Sequence, residues 1–226
     1  MAEPLEYYLE NYGIDLQSIN QIVCGDKYVA VVLKNGNIGV CATLDNYVNI
    51  DIKDLRIPDL TNIAQRIVLN AYFNATYNYQ HEFNTSIDIF DKIDFKKYNK
   101  IVMIGFFRSL VEKFENENIE LVIFDKAVED EKLTSMQNQL HKVSEADALI
   151  LSSTSVFNNT FLELTNATKE GCDIYTLGPS TILNREMFQY KNIKFPIERH
   201  NRHKKHCSCI ALGCNRNFSP LRCFFS

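Results

Sequence analysis

The sequence predicts a two-domain α/β protein: a small α+β domain over residues 1–90, a parallel-sheet domain over 91–198, and an atypical tail over 199–226. Three observations predict it. Ile101-Val102-Met103-Ile104 is an unbroken apolar run that stops at Gly105, as a strand buried on both faces would, and Leu110, Val111 and Phe114 follow at helical spacing. The apolar runs Leu121-Val122-Ile123-Phe124, Ala148-Leu149-Ile150-Leu151 and Ile174-Tyr175-Thr176-Leu177 then recur at the spacing of βαβ units. Ahead of them, strand-like runs over 28–33 and 38–44 flank Asn35-Gly36, a strong hairpin signal because both residues tolerate positive φ.

In chain order, Leu5, Tyr8, Leu9 and Tyr12 predict a short amphipathic helix ending at Gly13. After the hairpin, Leu60, Ile63, Ala64, Ile67, Val68 and Ala71 predict a helix from Asp59, its expected N-cap, to about Asn74. Asn70 and Asn74 are one turn apart and share a face, either lining a cleft or exposed near the helix end. The domain boundary is expected near residues 85–98. Leu133, Met136, Leu140 and Val143 predict a weakly amphipathic helix, with His141 exposed on it. Thr160 and Glu163 have capping-box spacing, which predicts a helix running to Lys169 or Glu170 and closed by Gly171.

The composition is that of a globular protein, and a net charge of −4 gives no case for nucleic-acid binding. No apolar stretch approaches the roughly 20 residues of a membrane span, and Glu3 and Glu6 stand where a secretion signal would be basic, so a cytoplasmic protein without a membrane partner is expected. Cys24, Cys41 and Cys172 are expected to be buried thiols.

In open α/β sheets ligands bind beyond the carboxyl ends of the strands. That singles out Gly105, Asp125, Ser152 to Ser155 and Gly178-Pro179-Ser180. The segment Ser152 to Thr160 is dense in hydroxyls and amides ahead of a helix N-terminus, which suits an anionic ligand group; equally, the hydroxyls could serve only the loop's own backbone. A dinucleotide fingerprint is excluded, because Phe106 and Phe107 follow the glycine and Leu110 stands at the third glycine position. Neither a phosphate-binding lysine loop nor a nucleophile elbow occurs. His81 and His141 are the only histidines before residue 199, so no catalytic triad is built and no residue receives a catalytic role.

Several of these stretches together resemble a prokaryotic family of heavy-metal chelation proteins, a domain of unknown function. They are Asn70-Ala71 with Asn74, the run from Ile101 to Phe107, Ala146 to Ile150 leading to Ser153-Thr154, Asn158-Asn159-Thr160 with Glu163, and Leu177 to Thr181. The resemblance spans about residues 5–195. It implies an enolase-N-terminal-like domain followed by a Rossmann-like one, with a cleft between them that binds a metal ion or a metal-chelating small molecule. Carried over residue by residue, it implies ligand contacts from Asn70, Asn74, Gly105, Phe106 and Asp125. Thr154, Asn158, Asn159, Thr160, Pro179 and Ser180 complete that set. Ile182 departs from the family, which has proline there.

The tail differs from the rest, with six of the 24 basic residues and no acidic one. His200, His203, His206, Cys207, Cys209 and Cys214, with Cys223, would suit a soft transition or heavy metal, but the spacing lacks paired Cys-x2-Cys knuckles. A sequence out of the family's frame, or a basic interaction tail, are the other readings. The leading function is binding of a metal or metal chelate in the cleft. The alternative is an enzyme acting on a phosphorylated or nucleotide-like small molecule, using Asp125 and the Ser153 to Thr160 loop; a third is assembly with a partner. A homo-oligomer is compatible with all three.

Overall fold

The computed structural model describes residues 1–80, 89–191 and 193–194. Two sheets share one hydrophobic core. The N-terminal sheet is antiparallel, in the order β1 (Ile19–Cys24), β2 (Tyr28–Leu33), β3 (Ile38–Ala42), and follows the short helix α1 (Pro4–Tyr12). The hairpin turns at Asn35-Gly36 as expected, but only Gly36 takes positive φ, and its N–H closes the turn on Leu33 O at 2.9 Å. Strand β1 was not expected. Its two polar residues, Asn20 and Gln21, are adjacent, and its register is irregular between Ile19 and Gln21, so it lacks the alternation that marks a strand.

Helix α2 (Ile63–Tyr77) lies on this sheet and is buried almost all round from Ile67 to Ala75. It begins four residues later than Asp59. Asn62 is the cap, its side chain accepting from the Ala64 and Gln65 N–H groups, while Asp59 is spent on the N–H and hydroxyl of Thr61. At Gly39 the sheet touches the helix. A Cβ there would stand 2.0 Å from the Ala71 carbonyl oxygen and 2.2 Å from the Ala75 nitrogen.

After the short helix α3 (Ile89–Lys92), the chain builds a parallel sheet from β4 (Ile101–Ile104), β5 (Val122–Phe124), β6 (Ala148–Ser152), β7 (Asp173–Leu177) and β8 (Ile193–Lys194). The spatial order is β5-β4-β6-β7-β8. Consecutive residues serve opposite faces: Ile101, Met103 and Ile150 pack with Leu110, Val111 and Phe114 of α4 (Arg108–Asn116). Val102, Leu149 and Leu151 join the core that holds Leu69 and Phe73 of α2. The crossovers after β5 and β6 use α5 (Gln139–Glu145), α6 (Thr154–Phe157) and α7 (Phe161–Ala167). The helix expected over 133–143 is shorter and displaced, since 136–138 form one 3-10 turn ahead of α5. Cys41 and Cys172 are buried as expected, whereas Cys24, at the end of an edge strand, is exposed. Among the described residues no helix is long and apolar enough to cross a membrane.

The Thr160–Glu163 capping box does not form. Thr160 makes no side-chain cap, and α7 stops at Ala167. The Glu3 carboxylate takes that place, accepting from the Leu162 N–H at 3.2 and 3.4 Å. The helix end proposed for an anionic ligand therefore already holds an anion of the chain itself. Glu3 is half-buried, and loss of solvation lifts its carboxyl above the ordinary 4.5, against the lowering effect of the Leu162 N–H. An acid that binds its proton more tightly when folded stabilises the fold below its unfolded value and loses that contribution as pH rises through the folded one. Denaturation between pH 4.5 and neutrality should thus show the wild type losing ground to Glu3→Gln as pH rises; parallel curves would refute this.

Candidate ligand site at the carboxyl ends of the parallel strands

The chain leaves β4 toward β5 on one side and returns as β6 on the other, so the carboxyl ends of β4 and β6 flank a topological switch point, where doubly wound sheets hold ligands. Gly105 closes β4 with φ +100°, its N–H bonded to Phe124 O at 2.8 Å. A Cβ at this position would meet the Ser152 Cβ at 2.8 Å. Gly178 closes β7 with φ +111°, and a Cβ there would stand 3.0 Å from the Ser153 Oγ. The two glycines therefore let three strand ends approach without side chains between them. The Phe107 ring lies beside both glycines, while the Phe106 ring turns to the Arg108 guanidinium at 5.4 Å.

Hydroxyls line the same strand ends. Ser152 and Thr154 share a hydrogen bond of 2.8 Å. The Oγ atoms of Ser153 and Ser155 are buried and have no protein partner, so they are not explained by service to the loop's own backbone. Asp125 has a different duty. Its Oδ2 accepts from the Phe106 N–H at 2.7 Å, and its Oδ1 from the Ala127 and Val128 N–H groups at 2.7 and 3.2 Å. The carboxylate thus ties the turn after β4 to the turn after β5. Asp125→Ala should lose about 1–3 kcal/mol in urea denaturation, and an unchanged midpoint would contradict this role.

Behind this rim, α2 clasps the segment that follows β7. The Asn70 Nδ2 donates to Ser180 O at 2.8 Å. The Asn74 Nδ2 donates to Val40 O at 2.8 Å and Pro179 O at 3.3 Å. Asn78, which the sequence reading passed over, donates to Thr181 O at 2.9 Å and accepts from the Leu183 N–H at 2.7 Å. Three asparagines at four-residue intervals on one helix face thereby hold the segment in place; that interval was the signal available in the sequence. The Ser180 Oγ accepts from the Ala42 N–H at 3.0 Å. Asn70, Asn74 and Ser180 are thus brought together with Pro179, in a sealed seam rather than an open cleft, at 0–1% exposure apart from the half-buried proline.

Cys41 also belongs to this seam. Its thiol donates to the Ala42 carbonyl at 3.5 Å beside the Ser180 and Asn70 side chains, and burial pushes it up to about 12. Nothing in its sequence context marked it, because the contact crosses from β3 to residues far along the chain.

Asn158, Asn159 and Thr160 form the turn between α6 and α7. The Asn158 N–H bonds Thr154 O, Asn159 is exposed with φ +55°, and the Thr160 N–H bonds Ser155 O. Among the described contacts none of the three hydrogen-bonds the Gly105 or Gly178 turn. His200, His203, His206, Cys207, Cys209 and Cys214 lie outside the described residues. Among the described residues no three His, Cys, Asp or Glu side chains come together to hold a metal ion. The donors present are thiol, carboxamide and hydroxyl groups.

Residues 88–195 match a family model, DUF364, described as "Putative heavy-metal chelation". Two solved structures share the fold. A DUF364 protein of unknown function from Pyrococcus horikoshii is 22% identical, with a TM-score of 0.68 over 84% of this chain and 82% of the other. A second, also of unknown function, from Desulfitobacterium hafniense, is 16% identical, with a TM-score of 0.65 over 82% and 80%. No curated protein matches. The resemblance noted in the sequence and the α/β fold it implies are therefore found.

Proposed function

We propose, from the premise that residues 88–195 match the heavy-metal chelation family, that this chain binds a metal ion or a metal-chelating small molecule where the parallel strands meet the α2 unit. One observation carries the proposal. At the switch point, where Gly105 and Gly178 let the strand ends close on one another, the buried Ser153 hydroxyl next to Gly178 has no protein partner. Buried polar atoms in native proteins are almost always satisfied, and a bound molecule would satisfy this one. Thr154 and Ser152 offer further hydroxyls at the rim, with Asn70, Asn74 and Ser180 behind. These neutral donors favour a metal that arrives with its own chelator over a bare divalent cation, which would seek carboxylates or imidazoles.

Titration calorimetry with zinc, nickel and copper salts and with their citrate complexes tests this. The tail thiols and imidazoles should first be replaced by serine and alanine, so that they cannot bind. Binding should persist without them and weaken about tenfold in Ser152→Ala/Thr154→Val, the size of one lost hydrogen bond. Binding that vanishes with the tail residues removes the metal from this site. A second reading, an enzyme acting on a phosphorylated or nucleotide-like molecule, draws on the strand order, which is that of flavin mononucleotide-binding folds. Turnover in a phosphate-ester screen that is lost in the same double variant would favour it.

A further inference from the structure

We propose that Asn35 is a site of spontaneous covalent modification, where the Gly36 nitrogen displaces the side-chain ammonia and leaves aspartate or isoaspartate at the tip of the β2–β3 hairpin. Attack on a carboxamide by the next residue's nitrogen is hindered by that residue's own side chain. Asn35 is the only asparagine in the sequence that precedes a glycine. Lys34, Asn35 and Gly36 are all exposed to the water the reaction consumes, and the methyl that Gly36 lacks would have nothing within 4 Å, so no packing confines the turn. Asn70 and Asn74, by contrast, are buried in the seam, and each precedes an alanine.

Two hydrogen bonds of the turn act on this reaction in opposite senses. The Asn35 Oδ1 accepts from the Asn37 N–H at 3.0 Å, which folds the carboxamide over the turn and sets a donor where the oxyanion develops. The Gly36 N–H donates to Leu33 O at 2.9 Å, which withholds the nitrogen that must attack. In an exposed turn water screens the first effect, so the second sets the rate, and conversion proceeds from molecules whose turn has opened. The Gly36 nitrogen then gives its proton to hydroxide and bonds to the Asn35 Cγ, and the Cγ–Nδ2 bond breaks as ammonia leaves with a proton from water. Water opens the resulting cyclic imide at Cγ, giving aspartate, or at the Asn35 main-chain carbonyl carbon, giving isoaspartate. One water enters and one ammonia leaves, with no change of oxidation state. In isoaspartate the main chain gains a methylene between Leu33 and Asn37, whose N–H to O bond of 2.8 Å closes the hairpin. Asn37 also ties the tip to the last turn of α2, its Nδ2 donating to Ala75 O at 3.2 Å. The modification therefore slackens the hairpin where it meets that helix.

The test incubates the full chain at mildly alkaline pH and follows each asparagine by peptide mass spectrometry, with isoaspartate counted by enzymatic methyl labelling. Conversion at Asn35 should lead that at every other asparagine. In Gly36→Ala, where the new methyl stands beside the attacking nitrogen, that lead should disappear. In urea that unfolds the chain, conversion at Asn35 should rise about tenfold, the worth of the Gly36 to Leu33 hydrogen bond. Hydrogen exchange at the Leu33 amide should quicken in the modified fraction. No lead at Asn35, or an unchanged rate in Gly36→Ala, overturns the proposal. Equal rates in folded and unfolded chains overturn the control by the turn, and unchanged exchange at Leu33 overturns the slackening of the hairpin.

Discussion

Gly39→Ala is expected to cost about 3 kcal/mol, the upper end of what overpacking a core does, and to lower the melting temperature by about 6–12 °C. The added methyl would fall 2.0 Å from the Ala71 carbonyl oxygen, 2.2 Å from the Ala75 nitrogen and 2.9 Å from the Ala75 Cα. All three are backbone atoms of a helix buried on both sides, so no side chain can rotate away to make room. Either β3 separates from α2 or the helix shifts against the parallel sheet. Gly36→Ala is the matched control: that glycine has φ +88° but nothing within 4 Å of its missing methyl, so only backbone strain of about 1 kcal/mol applies. Thermal denaturation of the two variants gives the contrast. Equal losses would mean that the close approach at Gly39 contributes nothing.

Asn78→Ala should be comparably severe, at about 2–6 kcal/mol. It strands two buried backbone groups at once, the Thr181 carbonyl and the Leu183 N–H, at roughly 1–3 kcal/mol each. Asn74→Ala should cost less, since that side chain only donates and its removal also relieves an idle buried oxygen. Urea denaturation ranks the pair, and hydrogen exchange at Leu183 locates the loss. If the Leu183 amide stays protected in Asn78→Ala, the segment after β7 is held by something other than the asparagine face.

Local signals were legible in the sequence. The four-residue run at Ile101 and the Asn35-Gly36 turn each specify structure through neighbours a few residues away, and each appears where the pattern predicts it. Signals that compete locally misled: Asp59 and Asn62 are both good caps three residues apart, and the difference lay in which one also had Thr61 to hold. The α7 cap was out of reach, because Thr160 and Glu163 look complete while the actual acceptor, Glu3, lies 159 residues from Leu162. For the site, the four-residue interval revealed that Asn70 and Asn74 act together. Their closure under the 179–181 segment, and the thiol of Cys41 beside them, depend on packing between distant segments, which no periodicity encodes.

The ties at the N-terminus impose an order on synthesis. Besides the Glu3 contact with Leu162, Ala2 O accepts from the Tyr190 hydroxyl at 3.0 Å, and the Tyr7 hydroxyl donates to Glu186 at 3.0 Å. At about 5–20 residues per second, the ribosome delivers these partners some 10–40 s after α1 has emerged. In that interval Tyr8 can settle against Phe73 and Tyr77 of α2, yet the opposite side of the first helix has nothing to bind. Helix α1 is therefore made well before it can be secured, and a chain halted before Tyr190 would present an unfinished apolar surface to chaperones and proteases.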